Sequence, residues 1–208
     1  MKHIYLVRHG ETKANLNLYV PGKEESLNLT GFRQADVLSQ RVSQLDFDCI
    51  IASDFLRAKQ TAKPISEIKK QIVETMSDFG EMFEPTSLHG LEDNDEKVVK
   101  YRQERNANVA NFAWRKEDGE NFSDLFTRIS NAKKILESNE HTNILVVSHS
   151  YFLQMFVSAI LLDISNPSAS WLRVGITLKM SNTGINLLTE ENGLWRVVTW
   201  NDHAHFAE

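Results

Sequence analysis

Apolar residues along this chain follow two rhythms. Short, nearly continuous runs rich in β-branched residues occur at Ile4–Tyr5–Leu6–Val7, Cys49–Ile50–Ile51–Ala52 and Asn143–Ile144–Leu145–Val146–Val147. Their length and polar flanks predict buried strands. Between them apolar positions step by threes and fours. Phe32, Ala35, Leu38, Val42 and Leu45 follow Thr30, which is expected to cap a helix; Phe122, Leu125, Phe126, Ile129 and Leu136 precede the third strand, and Phe152, Met155, Phe156, Ala159 and Ile160 follow it. Pro64, inside another helical pattern, is expected to end or kink that helix. Near the C-terminus, Ile176–Met180, Ile185–Leu188 and Trp195–Trp200 read as strands separated by turns at Asn182–Thr183–Gly184 and Glu191–Asn192–Gly193.

Alternating strands and helices predict a three-layer α/β/α fold with a mostly parallel central sheet, finished by a meander. Residues 84–119 break the pattern: polar and weakly periodic, they are expected to form a helical insertion, a lid over the active-site edge, within a single domain spanning 1–208. The chain shows no internal repeat.

Charge and composition narrow the function. Lys plus Arg number 23 against 28 Asp plus Glu, giving a net charge of −5, so no basic stripe is available to track a nucleic-acid backbone. The longest apolar segment, Phe152 to Leu162, is interrupted by Gln154 and Ser158 and falls far short of the roughly 20 residues that span a bilayer. No signal-peptide pattern precedes Arg8. A single cysteine, Cys49, excludes an intramolecular disulfide framework and points to a reducing compartment. The expectation is a cytoplasmic protein without membrane or nucleic-acid partners. Oligomeric state is left open.

Candidate chemistry follows each of the three strands: Arg8–His9–Gly10–Glu11–Thr12, Ser53–Asp54–Phe55–Leu56–Arg57 and Ser148–His149–Ser150. Carboxyl ends of neighbouring parallel strands lie along one edge, where ligands bind. Two histidines and two arginines distant in sequence are thus expected to converge. Guanidinium forks match phosphate oxygens in pairs. Gly10 is expected to let backbone approach a ligand, and helices starting near Ser53 and Ser150 to offer free N–H groups. An imidazole between two guanidiniums is held neutral at pH 7, with a lone pair available for attack on phosphorus. His3, His203 and His205 lack further ligands at metal-binding spacing, and no glycine-rich nucleotide loop follows Gly10, so neither metal nor cofactor is expected.

The joint pattern resembles the histidine phosphatase (phosphoglycerate mutase-like) superfamily. The resemblance rests on Arg8–Thr12 with Asn15, Leu29–Thr30–Gly31 with Gln34–Ala35, Ser53–Asp54 with Arg57–Ala58 and Gln60–Thr61–Ala62, Gly119–Glu120–Asn121 with Arg128, Val147–Ser150, and Trp200–Asp202 with His205–Phe206. It implies that His9 is the nucleophile and that Arg8, Arg57 and His149 hold the transferring phosphoryl group, with Gly10, Thr12, Asn15 and Ser150 as further substrate contacts. Ser150 stands where the family commonly has glycine. The resemblance also implies a glutamate proton donor after the strand that follows the Gln60–Ala62 helix. Glu81 has the expected spacing, with Glu84, Glu74 and Asp78 as alternatives.

A metal-independent phosphatase acting on phosphate monoesters of small metabolites is the leading implication. The alternatives are a cofactor-dependent phosphoglycerate mutase and a non-catalytic phosphate-binding module. Family mutases carry an arginine–histidine–tyrosine–glycine run after the acid glutamate, whereas here Glu81 is followed by Met82–Phe83–Glu84–Pro85. Arg102, Arg105 and Arg115 are the residues that favour the mutase.

Overall fold

The computed structural model describes residues 1–162 and 169–206. Six strands form one sheet: β1 (Lys2–Arg8), β2 (Cys49–Ser53), β3 (Val73–Met76), β4 (Asn143–Ser148), β5 (Ile185–Glu191) and β6 (Leu194–Asp202). Their spatial order is β3-β2-β4-β1-β5-β6. The first four run parallel, and β5 and β6 continue the sheet antiparallel. The helices are α1 (Lys13–Asn17), α2 (Leu29–Ser43), α3 (Leu56–Lys69), α4 (Glu96–Ala107), α5 (Phe122–Ser138), α6 (Ser150–Leu162) and α7 (Ala169–Thr177).

Strand periodicity divides the core into two layers. Ile4, Leu6, Ile51, Ile144 and Val146 face α5, α6 and α7, where Leu125, Ile129, Phe152, Phe156 and Trp171 are buried. Val7, Ile50, Ala52, Leu145 and Val147 face α2 and α3, against Leu38, Val42, Ala58, Ala62 and Ile65. Apolar side chains on both faces explain why the central strands read as unbroken hydrophobic runs. β3 escaped that reading because it is an edge strand with exposed Glu74 and Thr75.

Three local expectations change. Helix α2 is capped by Asn28, whose Oδ1 accepts the Gly31 N–H (2.8 Å), so Thr30 already lies in the first turn. Pro64 does not end α3, which continues to Lys69 with Ala62 and Ile65 on either side buried against the sheet. The Ile176–Met180 strand is absent: Ile176 and Thr177 complete α7, and the carbonyls of Leu178, Lys179 and Met180 are taken by Gln154, Trp200 and Arg8 side chains instead of a ladder. Packing against α6 decides this. Trp171 is fully buried and its indole donates to the Met155 carbonyl (2.8 Å), while a Cβ on Gly175 would lie 2.1 Å from the Met155 methyl. Tertiary contact overrides the β-branched preference of that segment.

Residues 84–119 contain α4 and a 3-10 turn at Thr86–Leu88. Val20, Leu88, Val98 and Tyr101 form a small core there. Polar ties complete it, including Lys116 to Glu104 (2.6 Å) and Arg102 to Asp93 (2.9 Å). Among the described residues no helix is long and apolar enough to cross a membrane.

Candidate active site

Strands β2, β4 and β1 are adjacent and parallel, so their carboxyl ends bring the three sequence clusters to one edge. The His9 N–H donates to the Ser148 carbonyl (2.9 Å), continuing the β1–β4 ladder by one residue. The His9 and His149 rings lie 5.1 Å apart. Arg57, in the first turn of α3, stacks on Phe55 at 4.8 Å, and the Phe55 ring meets His149 edge-on at 4.8 Å. His9, Arg57 and His149 are each buried.

A hydrogen bond assigns the His9 tautomer. His9 Nδ1 is 2.7 Å from the Gly10 carbonyl, which can only accept, so Nδ1 carries the proton. Burial, followed by the charges of Arg57 and Arg8, holds this imidazole well below the usual histidine pKa. It is neutral at pH 7, with its lone pair on Nε2. His149 Nε2 lies 2.8 Å from Ser53 Oγ, which also accepts the Phe55 N–H (3.2 Å). His149 Nδ1 is buried and makes no hydrogen bond among the described residues. Burial first, then Arg57, His9, Arg128 and Arg8, keeps His149 uncharged too. Burial also lowers Arg57 to about 10, opposed by Glu81 and Glu25, which leaves it cationic at neutral pH.

Glu81 reaches the same edge from the loop after β3. Its Oε1 accepts the Met82 and Phe152 N–H groups (3.0 and 2.9 Å), and its Oε2 accepts that of Tyr151 (3.2 Å). The first turn of α6 is therefore occupied by a carboxylate of the chain itself, where free N–H groups were expected. Burial nonetheless raises the Glu81 pKa, outweighing these bonds and the Arg57 charge. The loop is held by Arg128, which donates to the carbonyls of Asp78 (3.2 Å), Gly80 (2.5 Å) and Glu81 (3.3 Å) and forks onto Glu120 (2.8 and 2.7 Å). Glu74 stays on edge strand β3, and Glu84 is paired with Arg102 and Arg105.

The remaining candidates divide. Gly10 has both backbone groups engaged, its N–H on Thr61 Oγ1 (3.0 Å) and its carbonyl on His9. Its missing Cβ serves packing, since one would stand 2.6 Å from the Gly31 carbonyl oxygen. Thr12 caps α1 in a reciprocal pair with Asn15, whose Oδ1 accepts the Thr12 N–H (3.1 Å). That leaves the Asn15 amide N–H₂ for a ligand. Ser150 opens α6 and is half-buried. Arg8 donates to the Met180 carbonyl (2.8 Å), while its Nε is buried and makes no hydrogen bond among the described residues. His3 bonds Asn143 (3.0 Å), away from the His203–His205 pair.

Beside Arg57 and Glu81 opens a cavity of about 300 Å³, lined also by Phe83, Glu84, Tyr151, Arg102 and Arg105. Two features went unread in the sequence. Ser53 carries no chemistry in a strand-end motif until His149 is placed beside it. Asn182 gave only a turn signal, yet its side chain contacts the His9 carbonyl (3.0 Å).

Residues 4–203 match the Histidine phosphatase superfamily (branch 1). The chain belongs to that superfamily. Among curated relatives it is 30% identical to the "Probable phosphoglycerate mutase GpmB" of Proteus mirabilis (strain HI4320), over 96% of this chain and 90% of that protein. It is 26% identical to the adenosylcobalamin/alpha-ribazole phosphatase of Escherichia coli (strain K12), over 76% of this chain and 78% of that one. Among solved structures, a putative alpha-ribazole-5'-P phosphatase from Escherichia coli superposes with a TM-score of 0.79 at 23% identity, covering 97% of this chain and 96% of its own. That likeness establishes the fold.

Proposed function

We propose that the protein is a metal-independent phosphatase that hydrolyses phosphate monoesters of small metabolites through a phosphohistidine at His9. The observation that carries this reading is the His9 ring: buried, neutral, and fixed by the Gly10 carbonyl with its lone pair on Nε2. Nε2 attacks phosphorus, an N–P bond forms and the ester P–O bond breaks. Charge on the non-bridging oxygens is met by the Arg8 and Arg57 guanidiniums, the His149 ring and the Asn15 amide. The leaving oxygen takes the proton of Glu81. The resulting carboxylate then accepts a proton from water, whose oxygen attacks phosphorus as the N–P bond breaks, releasing orthophosphate and restoring His9 and Glu81. The cavity receives the organic part of the ester, and residues 84–119 act as its lid.

Mutase chemistry is the second reading, favoured by Arg102 and Arg105 on the cavity wall. There the phosphohistidine is resolved by a bound phosphoglycerate, not by water. Two experiments test these readings. Rapid-quench trapping with a ³²P-labelled ester in EDTA is expected to give an acid-labile adduct on the wild type and none on His9→Ala. Turnover without any adduct refutes the covalent route. Phosphoryl exchange among phosphoglycerates in the presence of 2,3-bisphosphoglycerate, outpacing release of orthophosphate, identifies the mutase instead.

A further inference from the structure

The turn between α7 and β5 is bonded to the nucleophile segment at four points, more than 160 residues away in sequence. Met180 O receives Arg8 Nη1 (2.8 Å) and the Thr183 N–H donates to Arg8 O (3.0 Å). The Asn182 amide nitrogen donates both its hydrogens, one to His9 O (3.0 Å) and one to Asn15 Oδ1 (3.2 Å). Both partners are acceptors, so the amide has one permitted orientation.

The first of those two bonds has a particular consequence. The His9–Gly10 peptide is gripped from both sides, its carbonyl by Asn182 and its N–H by Thr61 Oγ1. The following Gly10–Glu11 peptide starts from that fixed plane, has its own N–H on Gln34 Oε1 (2.7 Å), and presents Gly10 O to His9 Nδ1. Asn182 is held in its turn. His203 Nε2 donates to Asn182 O (3.0 Å), as does Thr183 Oγ1 (2.7 Å), and His205 Nε2 donates to Thr183 Oγ1 (3.3 Å).

We propose that Asn182 is a positioning residue for the nucleophile, orienting the His9–Gly10 peptide, and that His203 from the last residues of the chain holds Asn182 in place. This deepens the phosphohistidine reading and rests on it. Asn182 touches neither substrate nor the reacting nitrogen in this scheme; its loss misaligns attack and removes one of the two bonds on Asn15 Oδ1, which the Thr12 N–H still holds, while Arg8, Arg57 and His149 keep their grip on the phosphate.

The test combines steady-state turnover of p-nitrophenyl phosphate, quench-flow formation of phosphoenzyme, and competitive inhibition by orthophosphate. Asn182→Ala is expected to lower kcat and the rate of phosphoenzyme formation on the order of 10- to 10²-fold, the scale of a small misplacement of reacting groups. The inhibition constant of orthophosphate should stay within about threefold of wild type, since a ground-state ligand is held by the unchanged cations. His203→Ala should give a smaller loss of kcat, about three- to tenfold, and little further loss in the Asn182→Ala background, because it acts through Asn182. Asn182→Asp keeps the shape and removes the donors, and it should match Asn182→Ala or exceed it; it and His203→Ala carry the test if Asn182→Ala does not fold. Unchanged kcat, a loss of phosphate affinity equal to the loss of kcat, or additive effects of the two substitutions would overturn the proposal. Absence of phosphoenzyme on an active wild type would instead refute the covalent route, and the two failures are distinct.

Discussion

Glu81→Gln isolates proton donation from the rest of the site. The wild-type carboxylate accepts three backbone N–H groups, those of Met82, Tyr151 and Phe152. An amide oxygen in the Oε1 position keeps two of these. Its nitrogen, in the Oε2 position, faces the Tyr151 N–H, donor against donor. Leaving one buried N–H unpaired costs about 1–3 kcal/mol, partly offset because the amide is less costly to bury than the carboxylate that burial penalises here. The variant should therefore fold with a modest loss of stability. Catalysis should suffer far more, and unevenly. A general acid contributes roughly 10²–10⁴-fold when an alkoxide leaves and much less when a nitrophenolate leaves. The assay is kcat/KM across alkyl and aryl phosphates ordered by leaving-group pKa, with thermal melts run in parallel. The expected result is a steep dependence in Glu81→Gln against a shallow one in wild type, converging at p-nitrophenyl phosphate. The wild type should also lose activity as pH rises through the raised Glu81 pKa, and the variant should lack that limb. An equal loss for every ester would remove Glu81 from the acid role and leave it as a cap on α6.

Other outcomes follow from the same geometry. Arg57→Ala should lower kcat/KM for any ester on the order of 10²–10³-fold, and an effect under about threefold would exclude Arg57 from charge stabilisation. Gly31→Ala would set a Cβ 2.0 Å from the Glu11 carbonyl oxygen, a backbone atom that cannot swing aside. A cost of about 1–3 kcal/mol, a Tm lower by roughly 3–10 °C, is expected, with Gly175→Ala milder because it meets the flexible Met155 side chain. Equal melting for Gly31→Ala and wild type would refute the close approach. His9 and His149 have folded pKa values below the unfolded value of about 6.5, so their contribution to stability is complete above that pH and is lost as pH falls toward the folded values. Calorimetry should show Tm falling on acidification below about pH 6.5, and replacing both histidines by asparagine should flatten that slope. An unchanged slope would mean that neither histidine is buried neutral.

Much of this protein is legible in one dimension. The central strands announce themselves because both their faces are buried, and a residue at the carboxyl end of such a strand is placed by the strand itself. That is why Arg8, His9 and His149 could be assembled from sequence, and why Arg57 could be added through the helix that follows β2. Glu81 was reachable only by spacing within a family pattern, since a carboxylate in an acidic stretch has no local signature. Edge strand β3 and helix α7 were not legible. The first lacks a buried face, and the second owes its helical state to Trp171 and Gly175 packing on α6.

What the sequence determined by itself is the set of chemical groups and the strand ends that carry them, because side-chain period and strand burial are local properties. Only the tertiary structure decided their protonation and aim. The Gly10 carbonyl beside His9 Nδ1, Ser53 beside His149 Nε2, the α6 amides around Glu81 and the Asn182 amide on His9 O are contacts made by folded geometry. Three of the four join segments 70 or more residues apart, and the fourth depends on how a single peptide is turned. No period along the chain encodes such contacts, which arise only when the sheet closes.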